Sequence, residues 1–285
     1  MEQMKPSPLI AEDEAFVRMS LVERLQHGAV LVVFVLLILT GLPLLLHGLK
    51  IFKWVFSPEK SFYVRGLIHR AAAVGLIAAA VWHAASTAFT SRGRRNLKDM
   101  LPRAKDVRDA VQSLGFNLGL SRYLRRHRLG KAFFERHPFW LFEAAPLLER
   151  YSFIEKFEYW SLVWGTMIMI LSGFFMWRVD LSLRLFPLWV HNIFILVHSY
   201  EAVLALLAIL TWHMYNVHLN PEDFPMSKVW LNGKMTGREL RRRHPLEYRR
   251  IHEERLRQNR SKTRACETLA KRQARPKPMK SLKRP

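Results

Sequence analysis

The chain has 285 residues, of which half are hydrophobic and 24% are charged, and its formal net charge is +22. The charged and apolar residues are segregated: residues 26–49, 71–91, 159–177 and 185–221 contain no Asp, Glu, Lys or Arg apart from Glu201. Because a transmembrane helix needs about 20 largely apolar residues, this pattern excludes a soluble globular protein and a single-pass anchor.

The four apolar stretches predict an all-α membrane protein, a four-helix bundle whose transmembrane domain covers residues 26–220. The predicted spans are residues 26–49, 66–91, 157–177 and 188–219. A segment at residues 1–25 precedes them, a loop at residues 92–156 separates the second span from the third, and a tail at residues 221–285 follows. The first segment mixes acidic and basic residues and has no small-residue cleavage pattern, so no signal peptide is expected.

Positive charge is concentrated in the loop at residues 92–156 and in the tail, where basic residues outnumber acidic ones by more than two to one. Since positive charge marks the cytoplasmic side, both termini, the loop and the tail are predicted to be cytoplasmic, in a multi-pass protein of the bacterial inner membrane. Basic segments beside membrane spans also contact anionic lipid head groups, so lipid rather than nucleic acid is the expected partner of this charge.

The cytoplasmic segments carry two further predictions. In the tail, residues 238–257 favour a basic surface helix, and residues 255–285 favour a segment that is disordered or becomes ordered on a partner. Aromatic residues in and just after the loop suit either a segment lying on the membrane or a docking surface for a cytoplasmic partner. They are Phe133, Phe134, Phe139, Trp140, Phe142, Tyr151 and Phe153.

The only cysteine is Cys266, in the basic tail. One cysteine excludes an internal disulfide and an iron–sulfur cluster held by this chain alone. The sequence also lacks the Cys-x-x-Cys-His motif of covalent c-type haem. Cys266 is therefore expected to be an ordinary free thiol.

Histidines within the apolar stretches are the most informative residues, because ionisable side chains in a membrane span are costly and usually functional. They include His27 in span one, His69 and His83 in span two, and His191, His198, His213 and His218 in span four.

The spacing of these histidines forms two ladders. Fourteen residues separate His69 from His83, which puts both rings on nearly one helix face about 21 Å apart. Fifteen residues separate His198 from His213, about 60° apart around the helix and about 22 Å apart in depth. Spans two and four run in the same direction, so their histidines can face each other at two depths.

Two histidines facing each other from neighbouring helices can bind a haem iron from both sides. The ladders therefore predict haem b bound between the helices, and they offer His83 opposite His213 at the inner depth. Two alternatives stay open: histidines that are hydrogen-bonded within the core, and a haem-free transporter lined by histidines. Glycines that could permit close approach of a flat cofactor, or ordinary helix packing, are Gly28, Gly41, Gly75, Gly165 and Gly173.

Several short motifs resemble those of formate dehydrogenase gamma subunits and the related Ni,Fe-hydrogenase b-type cytochromes, in their cytochrome b/b6-domain branch. The resemblance covers roughly residues 20–225. The motifs are RLQH at residues 24–27, TGLP at 40–43, KFEYW at 156–160, WGT at 164–166, HSYEA at 198–202 and WHMY at 212–215.

This resemblance implies a dihaem membrane cytochrome b that exchanges electrons between a partner redox protein and the quinone pool. The partner would be a dehydrogenase, a hydrogenase or a multihaem cytochrome c, and the chain would be the electron-transfer subunit of a quinone-linked oxidoreductase complex. The outer haem ligands fall on His69 and His198, and the inner ligands on His27 and His213. Because the ladders offer His83 in place of His27, the inner ligand stays open, and so does a third haem held by His83 and His218. A haem-containing anchor without its own quinone site is a further alternative.

Other polar residues near the spans are weaker candidates. Glu201 could carry protons or could be a neutral, hydrogen-bonded carboxyl. Arg65 and Arg70 could contact haem propionates, whose geometry suits guanidinium groups, or lipid head groups. The quinone site is expected near His213, by resemblance, and its weak candidates are Glu155, Lys156, Glu158 and Tyr159, although anchoring at the membrane interface also explains most of these four.

Overall fold

The computed structural model of the chain describes residues 10–46, 59–119, 126, 146–220 and 224–273, without the side chains of residues 59–62 and 268–273. Most of the aromatic residues of the loop lie outside the described residues, as do residues 274–285 of the tail. In chain order, the elements are β1 (Ala15–Val17), α1 (Leu21–Leu45), α2 (Glu59–Phe89), α3 (Ser91–Met100), α4 (Ala104–Asn117), α5 (Phe153–Trp177), α6 (Val179–Leu185), α7 (Leu188–Leu207), two π-helical segments (Ala208–His213 and Tyr215–Leu219), α8 (Val229–Asn232), β2 (Lys234–Thr236), α9 (Gly237–Arg243) and α10 (Pro245–Gln273). The strands β1 and β2 pair in a two-stranded sheet.

Within the described residues, four helical stretches are long and apolar enough to cross a membrane: Leu21–Leu45, Tyr63–Phe89, Phe153–Trp177 and Leu188–Leu219. They confirm the predicted all-α, four-helix membrane fold, and the chain is a multi-pass membrane protein. At most 11% of the residues in the most apolar window of each span are buried within the protein. Many apolar side chains of the spans are exposed, as contact with lipid requires.

The first and third spans begin a few residues before the predicted positions, because each starts at a capping box. Ser20 caps α1, its hydroxyl accepting from the backbone N–H of Glu23 while the Glu23 carboxylate accepts from the Ser20 N–H. Ser152 and Glu155 cap α5 in the same way. This reciprocal arrangement satisfies two backbone donors that a helix start leaves unpaired.

The spans form two helical hairpins. The helices α1 and α2 pack against each other as the first hairpin, and α5 and α7 pack against each other as the second. The helix α1 also contacts α7, which joins the hairpins. The C-terminal end of span four departs from α-helical geometry in the π-helical segments Ala208–His213 and Tyr215–Leu219. A π-helix turns less per residue than an α-helix, so the predicted 60° offset between His198 and His213 does not apply.

The chain divides into two compact units, one of which holds the four spans. The described residues of the other unit are 10–16, 147–150 and 236–273. Within that second unit, Arg255 on α10 pairs with Glu14 and lies over the ring of Phe16. The basic surface helix predicted at residues 238–257 corresponds to α9 and the first part of α10. Of the two alternatives for residues 255–285, disorder does not hold as far as Gln273, because α10 continues to that residue.

Candidate functional site

The two histidines predicted to form the outer pair face each other. His69 on α2 and His198 on α7 have ring centroids 6.4 Å apart, with the ring planes at 70°. Both residues are partly buried.

The ring of His69 is oriented by a hydroxyl on α1. The Thr40 hydroxyl donates to the carbonyl of Leu36 at 2.6 Å, so its oxygen accepts from Nδ1–H of His69 at 2.9 Å. This hydrogen bond fixes the tautomer of the ring and leaves Nε2 with its lone pair. A neutral imidazole that donates through one nitrogen is the usual form of a metal-binding histidine.

The ring of His198 is oriented in the same way from α5. The Ser172 hydroxyl donates to the carbonyl of Ile168 at 2.7 Å and accepts from Nδ1–H of His198 at 3.0 Å. Both rings of the outer pair therefore present Nε2 as a potential ligand.

Glycines allow each ring to lie close to the opposite helix of its own hairpin. A Cβ added at Gly41 would lie 3.1 Å from Cε1 of His69, and one added at Gly173 would lie 3.0 Å from Cε1 of His198. These are tighter than almost all real contacts of a Cβ atom. Only glycine leaves the two imidazoles room in their present positions.

The two hairpins thus repeat the same arrangement. Thr40 binds His69 of α2 and Gly41 leaves room for its ring. Ser172 and Gly173 do the same for His198 of α7. The helix caps Ser20 and Ser152 precede these pairs by equal numbers of residues. The outer histidine pair is therefore formed by corresponding positions of two similar hairpins.

At the other end of the spans, His27 on α1 and His213 in span four form a second pair. Their ring centroids are also 6.4 Å apart, with the planes at 40°. Nδ1 of His213 lies 3.3 Å from a carboxylate oxygen of Glu158, whose other oxygen accepts from Asn216 at 3.2 Å. The ring of Trp230 lies 6.2 Å from that of His27.

His83, the other histidine predicted near this depth, has protein partners on both ring nitrogens. Nδ1 lies 3.2 Å from Oε1 of Gln26, and Nε2 lies 3.1 Å from the hydroxyl of Tyr159. Because Gln26 donates its amide N–H to Ser86 at 2.9 Å, its oxygen faces His83 and accepts from Nδ1–H. The Tyr159 hydroxyl then donates to Nε2, which leaves this ring without a lone pair for a metal.

The remaining histidines of span four are not part of either pair. His191 is buried, and its Nδ1 lies 3.0 Å from the hydroxyl of Ser182. His218, in the last π-helical segment, is partly buried and is not brought against His83, whose ring partners are on α1 and α5.

The two arginines proposed for propionate contacts lie near the outer pair. Arg65 is buried, and its guanidinium donates to the carbonyl of Thr40, the same residue whose hydroxyl binds His69. Arg70 is exposed and extends along Gly66.

Two of the four candidate quinone-site residues have structural roles. Glu155 caps α5, and Lys156 is buried and donates to both carboxylate oxygens of Asp106 at 2.9 Å. The other two, Glu158 and Tyr159, contact the inner histidines as described above. Glu201 lies against Gly165, where an added Cβ would be 2.6 Å from its carboxylate oxygen.

The geometry of both pairs fits a metal held between two imidazoles. A first-row metal ion about 2 Å from each of two ring nitrogens places the ring centroids roughly 6 Å apart. Both observed separations are 6.4 Å. In the part of the chain that the structure describes, no group of three or more His, Cys, Asp or Glu side chains could hold a metal ion, so each pair supplies two ligands.

Sequence reasoning missed the residues that orient the rings: Thr40 and Ser172 as hydrogen-bond acceptors, Gln26 as the partner of His83, and Trp230 beside His27. The first two carried a usable signal, since a hydroxyl residue directly precedes a glycine in each hairpin. Trp230 follows the fourth span, and nothing in the sequence around it indicates a contact with His27.

Comparisons with known proteins give no family for this chain. No family model matches it, and no curated protein matches it either. The resemblance to membrane cytochromes b therefore stays a hypothesis, and the functional argument rests on the geometry of the two histidine pairs.

Proposed function

We propose that the chain is a membrane-embedded b-type cytochrome, the electron-transfer subunit of a quinone-linked oxidoreductase complex. The observation that carries this proposal is the presence of two histidine pairs, both with ring centroids 6.4 Å apart. They involve His198 and His213 of one span, which fifteen residues separate, or about 20 Å along the helix axis. Two redox sites at two depths would carry electrons across the membrane.

Haem suits these sites better than a bare metal ion. Each pair supplies only two protein ligands, and a porphyrin supplies the four others that an octahedral iron needs. The bound iron would supply one-electron chemistry by alternating between its ferrous and ferric forms. The chain would hold the iron through imidazole nitrogens whose tautomers are set by Thr40, Ser172 and Glu158.

The proposal assigns His69 and His198 to an outer haem and His27 and His213 to an inner haem. His83 is left out because Gln26 and Tyr159 already bind both of its ring nitrogens. Two haems per chain are therefore proposed, without a third at His83 and His218.

Quinone exchange is proposed beside the inner pair, where Glu158 and Tyr159 could move protons. Both side chains already bind histidines at that depth. The basic loop and tail support cytoplasmic termini and an inner-membrane location. A partner redox protein would supply or accept the electrons, because the described residues form no evident site for a soluble donor.

The test is a pyridine-haemochrome assay on detergent-purified chain, normalised to protein. Two b-type haems per chain are expected. Replacing a histidine of either pair by Ala should remove one haem and leave the other. His83→Gln should retain both, and His191→Gln, at a buried histidine outside both pairs, is the matched control.

Haem-free protein that is folded and was expressed with sufficient haem would refute the proposal and favour a histidine-lined transporter. If haem is bound but quinol does not reduce it, the chain is a haem-containing anchor without a quinone site. Loss of a haem in His83→Gln but not in His27→Ala would reverse the inner assignment.

A further inference from the structure

Buried polar side-chain atoms without a hydrogen-bond partner gather at one place in the chain. Among the described residues, these atoms are Nε of Arg24, Nδ1 of His27, Nε1 of Trp230 and Nδ1 of His252. The first three lie together, since Arg24 precedes His27 by one helical turn and the Trp230 ring is 6.2 Å from the His27 ring. Such groups are rare in folded proteins and call for an explanation.

Among His27, His69, His83, His198 and His213, only His27 has no hydrogen-bond partner at Nδ1. In His69, His83, His198 and His213, a protein oxygen lies within hydrogen-bond distance of Nδ1. If His27 binds a metal through Nε2, its Nδ1 carries a proton and needs an acceptor. With the N–H groups of Arg24 and Trp230, three donors then lack an acceptor oxygen.

The position of Trp230 is fixed by the segment that follows span four. The guanidinium of Arg24 donates to the carbonyl of Leu231. Gly233 ends α8 with a φ of 74°, and its carbonyl accepts from the backbone N–H groups of Arg18 and Met19. A Cβ at Gly233 would lie 2.3 Å from the Met19 carbonyl oxygen, so only glycine permits this approach.

We propose that Arg24 and Trp230 bind a carboxylate beside the inner histidine pair, namely a propionate of the haem proposed to bind there. This inference rests on the proposed function. A carboxylate has acceptor capacity for several donors and carries the charge that a guanidinium complements. The indole N–H can only donate, which suits the same oxygen acceptor. Arg24 lies nearer than His27 to the predicted cytoplasmic end of span one, where a charged group can remain close to water.

The experiment compares Arg24→Gln and Trp230→Phe in the full chain, with the redox potential and the haem content as readouts. Loss of a cation beside the haem stabilises the ferric form, so Arg24→Gln should lower the midpoint potential of the inner haem. A tenfold change in the ferric-to-ferrous ratio corresponds to about 59 mV for one electron, and a shift of this order is expected. Trp230→Phe keeps the charge, so it should accelerate release of the inner haem with a smaller change of potential.

Two matched controls are available. Arg94 is an exposed arginine that donates to a backbone carbonyl, and Trp160 donates its indole N–H to the carbonyl of Met100. Arg94→Gln and Trp160→Phe should leave the potential and the retention of the inner haem unchanged.

Arg24→Gln with the potential and haem retention of Arg94→Gln would overturn the proposal. A raised KM for quinol at unchanged potential would also overturn it and assign the donors to a quinone carbonyl instead. Failure of the proposed function itself is distinguishable, because His27→Ala would then leave the haem content unchanged.

A second, independent observation concerns α4. Val107, Val111, Leu114 and Leu118 follow one another at helical spacing, and three of them are more than 60% exposed. The helix is held at the start of the third span by the ion pair between Asp106 and the buried Lys156. Its apolar stripe is therefore placed at the level where the span enters the lipid.

We propose that α4 lies in the cytoplasmic membrane surface, with this stripe toward the acyl chains. We name lipid as the molecule that contacts this stripe, because the outward apolar face of the spans begins where α4 is anchored. Nitroxide labels at Val107 and Leu114, in a Cys266→Ser chain in phospholipid nanodiscs, should be more accessible to oxygen than to a water-soluble nickel chelate. A label at the exposed Asn117 should show the reverse. Chelate accessibility at the stripe equal to that at Asn117 would overturn the proposal.

Discussion

Replacing the hydroxyl of Thr40 by a methyl group tests whether the hydroxyl bonds orient the outer pair. In Thr40→Val the side chain keeps its shape and β-branching, but Nδ1 of His69 loses its acceptor. A buried donor left without a partner costs about 1–3 kcal/mol. Loss of a group that orients a metal ligand lowers metal affinity by roughly 10- to 100-fold, about 1.4–2.7 kcal/mol. We expect the affinity for the outer haem to fall by this amount and the affinity for the inner haem to stay unchanged.

The matched control is Thr211→Val. Thr211 also donates its hydroxyl to the carbonyl four residues earlier, at 2.7 Å, but it contacts no histidine. Ser172→Ala should reproduce the effect from the other side, since it removes the acceptor of His198. The assay is the rate of haem transfer to excess apomyoglobin, with the two haems distinguished by their midpoint potentials.

Equal release rates in Thr40→Val, Ser172→Ala and Thr211→Val would refute the idea that these hydroxyls orient haem ligands. Equal acceleration for both haems would also refute it, because a general loosening of the bundle would then explain the result. Selective release of the outer haem is the only outcome that agrees with the geometry.

Three further results are expected. In Gly41→Ala the new methyl would lie 3.1 Å from the outer-pair histidine of α2, so the outer haem content should fall while the inner haem stays. In Lys156→Met the partly buried carboxylate of Asp106 loses its ion-pair partner and keeps the hydrogen bond from the backbone N–H of Arg103, which should cost about 1–3 kcal/mol and lower the thermal unfolding temperature in detergent; adding Asp106→Asn should recover part of the loss. The hydrogen bond from Arg255 lowers the pKa of Glu14 below its usual value of 4.5, so this pair stabilises the fold fully above that pH and loses its effect as the pH falls through the lowered pKa. Limited proteolysis of α10 between pH 3 and 6 should detect this loss of stability at low pH, which is at most about 1 kcal/mol for a surface pair. In Glu14→Gln the proteolysis rate should no longer depend on pH in this range.

The membrane fold was predictable because the apolar runs are long enough to span lipid and nothing else in the sequence competes with them. The predicted starts of spans one and three are too late, because each apolar run begins several residues after the capping serine that starts the helix. Ser20 and Ser152 with their glutamate partners carried the correct signal. The extension of α10 to Gln273 could not be predicted, because its composition alone favours disorder.

The site was predictable in its residue types but not in its pairing. Helical spacing brought His69 and His198 to one depth, and the structure places these two rings against each other. Spacing could not choose between His27 and His83, because the choice depends on Gln26 and Tyr159 from two other helices. The π-helical segments also change the rotation of span four, which α-helical arithmetic does not include.

The difference between the two hairpins explains why the proposal counts two haems rather than three. His27 and Tyr159 occupy corresponding positions, each the seventh residue after the N-cap of its helix. Each faces a histidine, His27 facing His213 and Tyr159 facing His83. A second imidazole completes a ligand pair at one position, whereas a phenol donates its proton to the opposing ring at the other. The identity of this one residue in each hairpin decides whether an inner histidine is available to a metal.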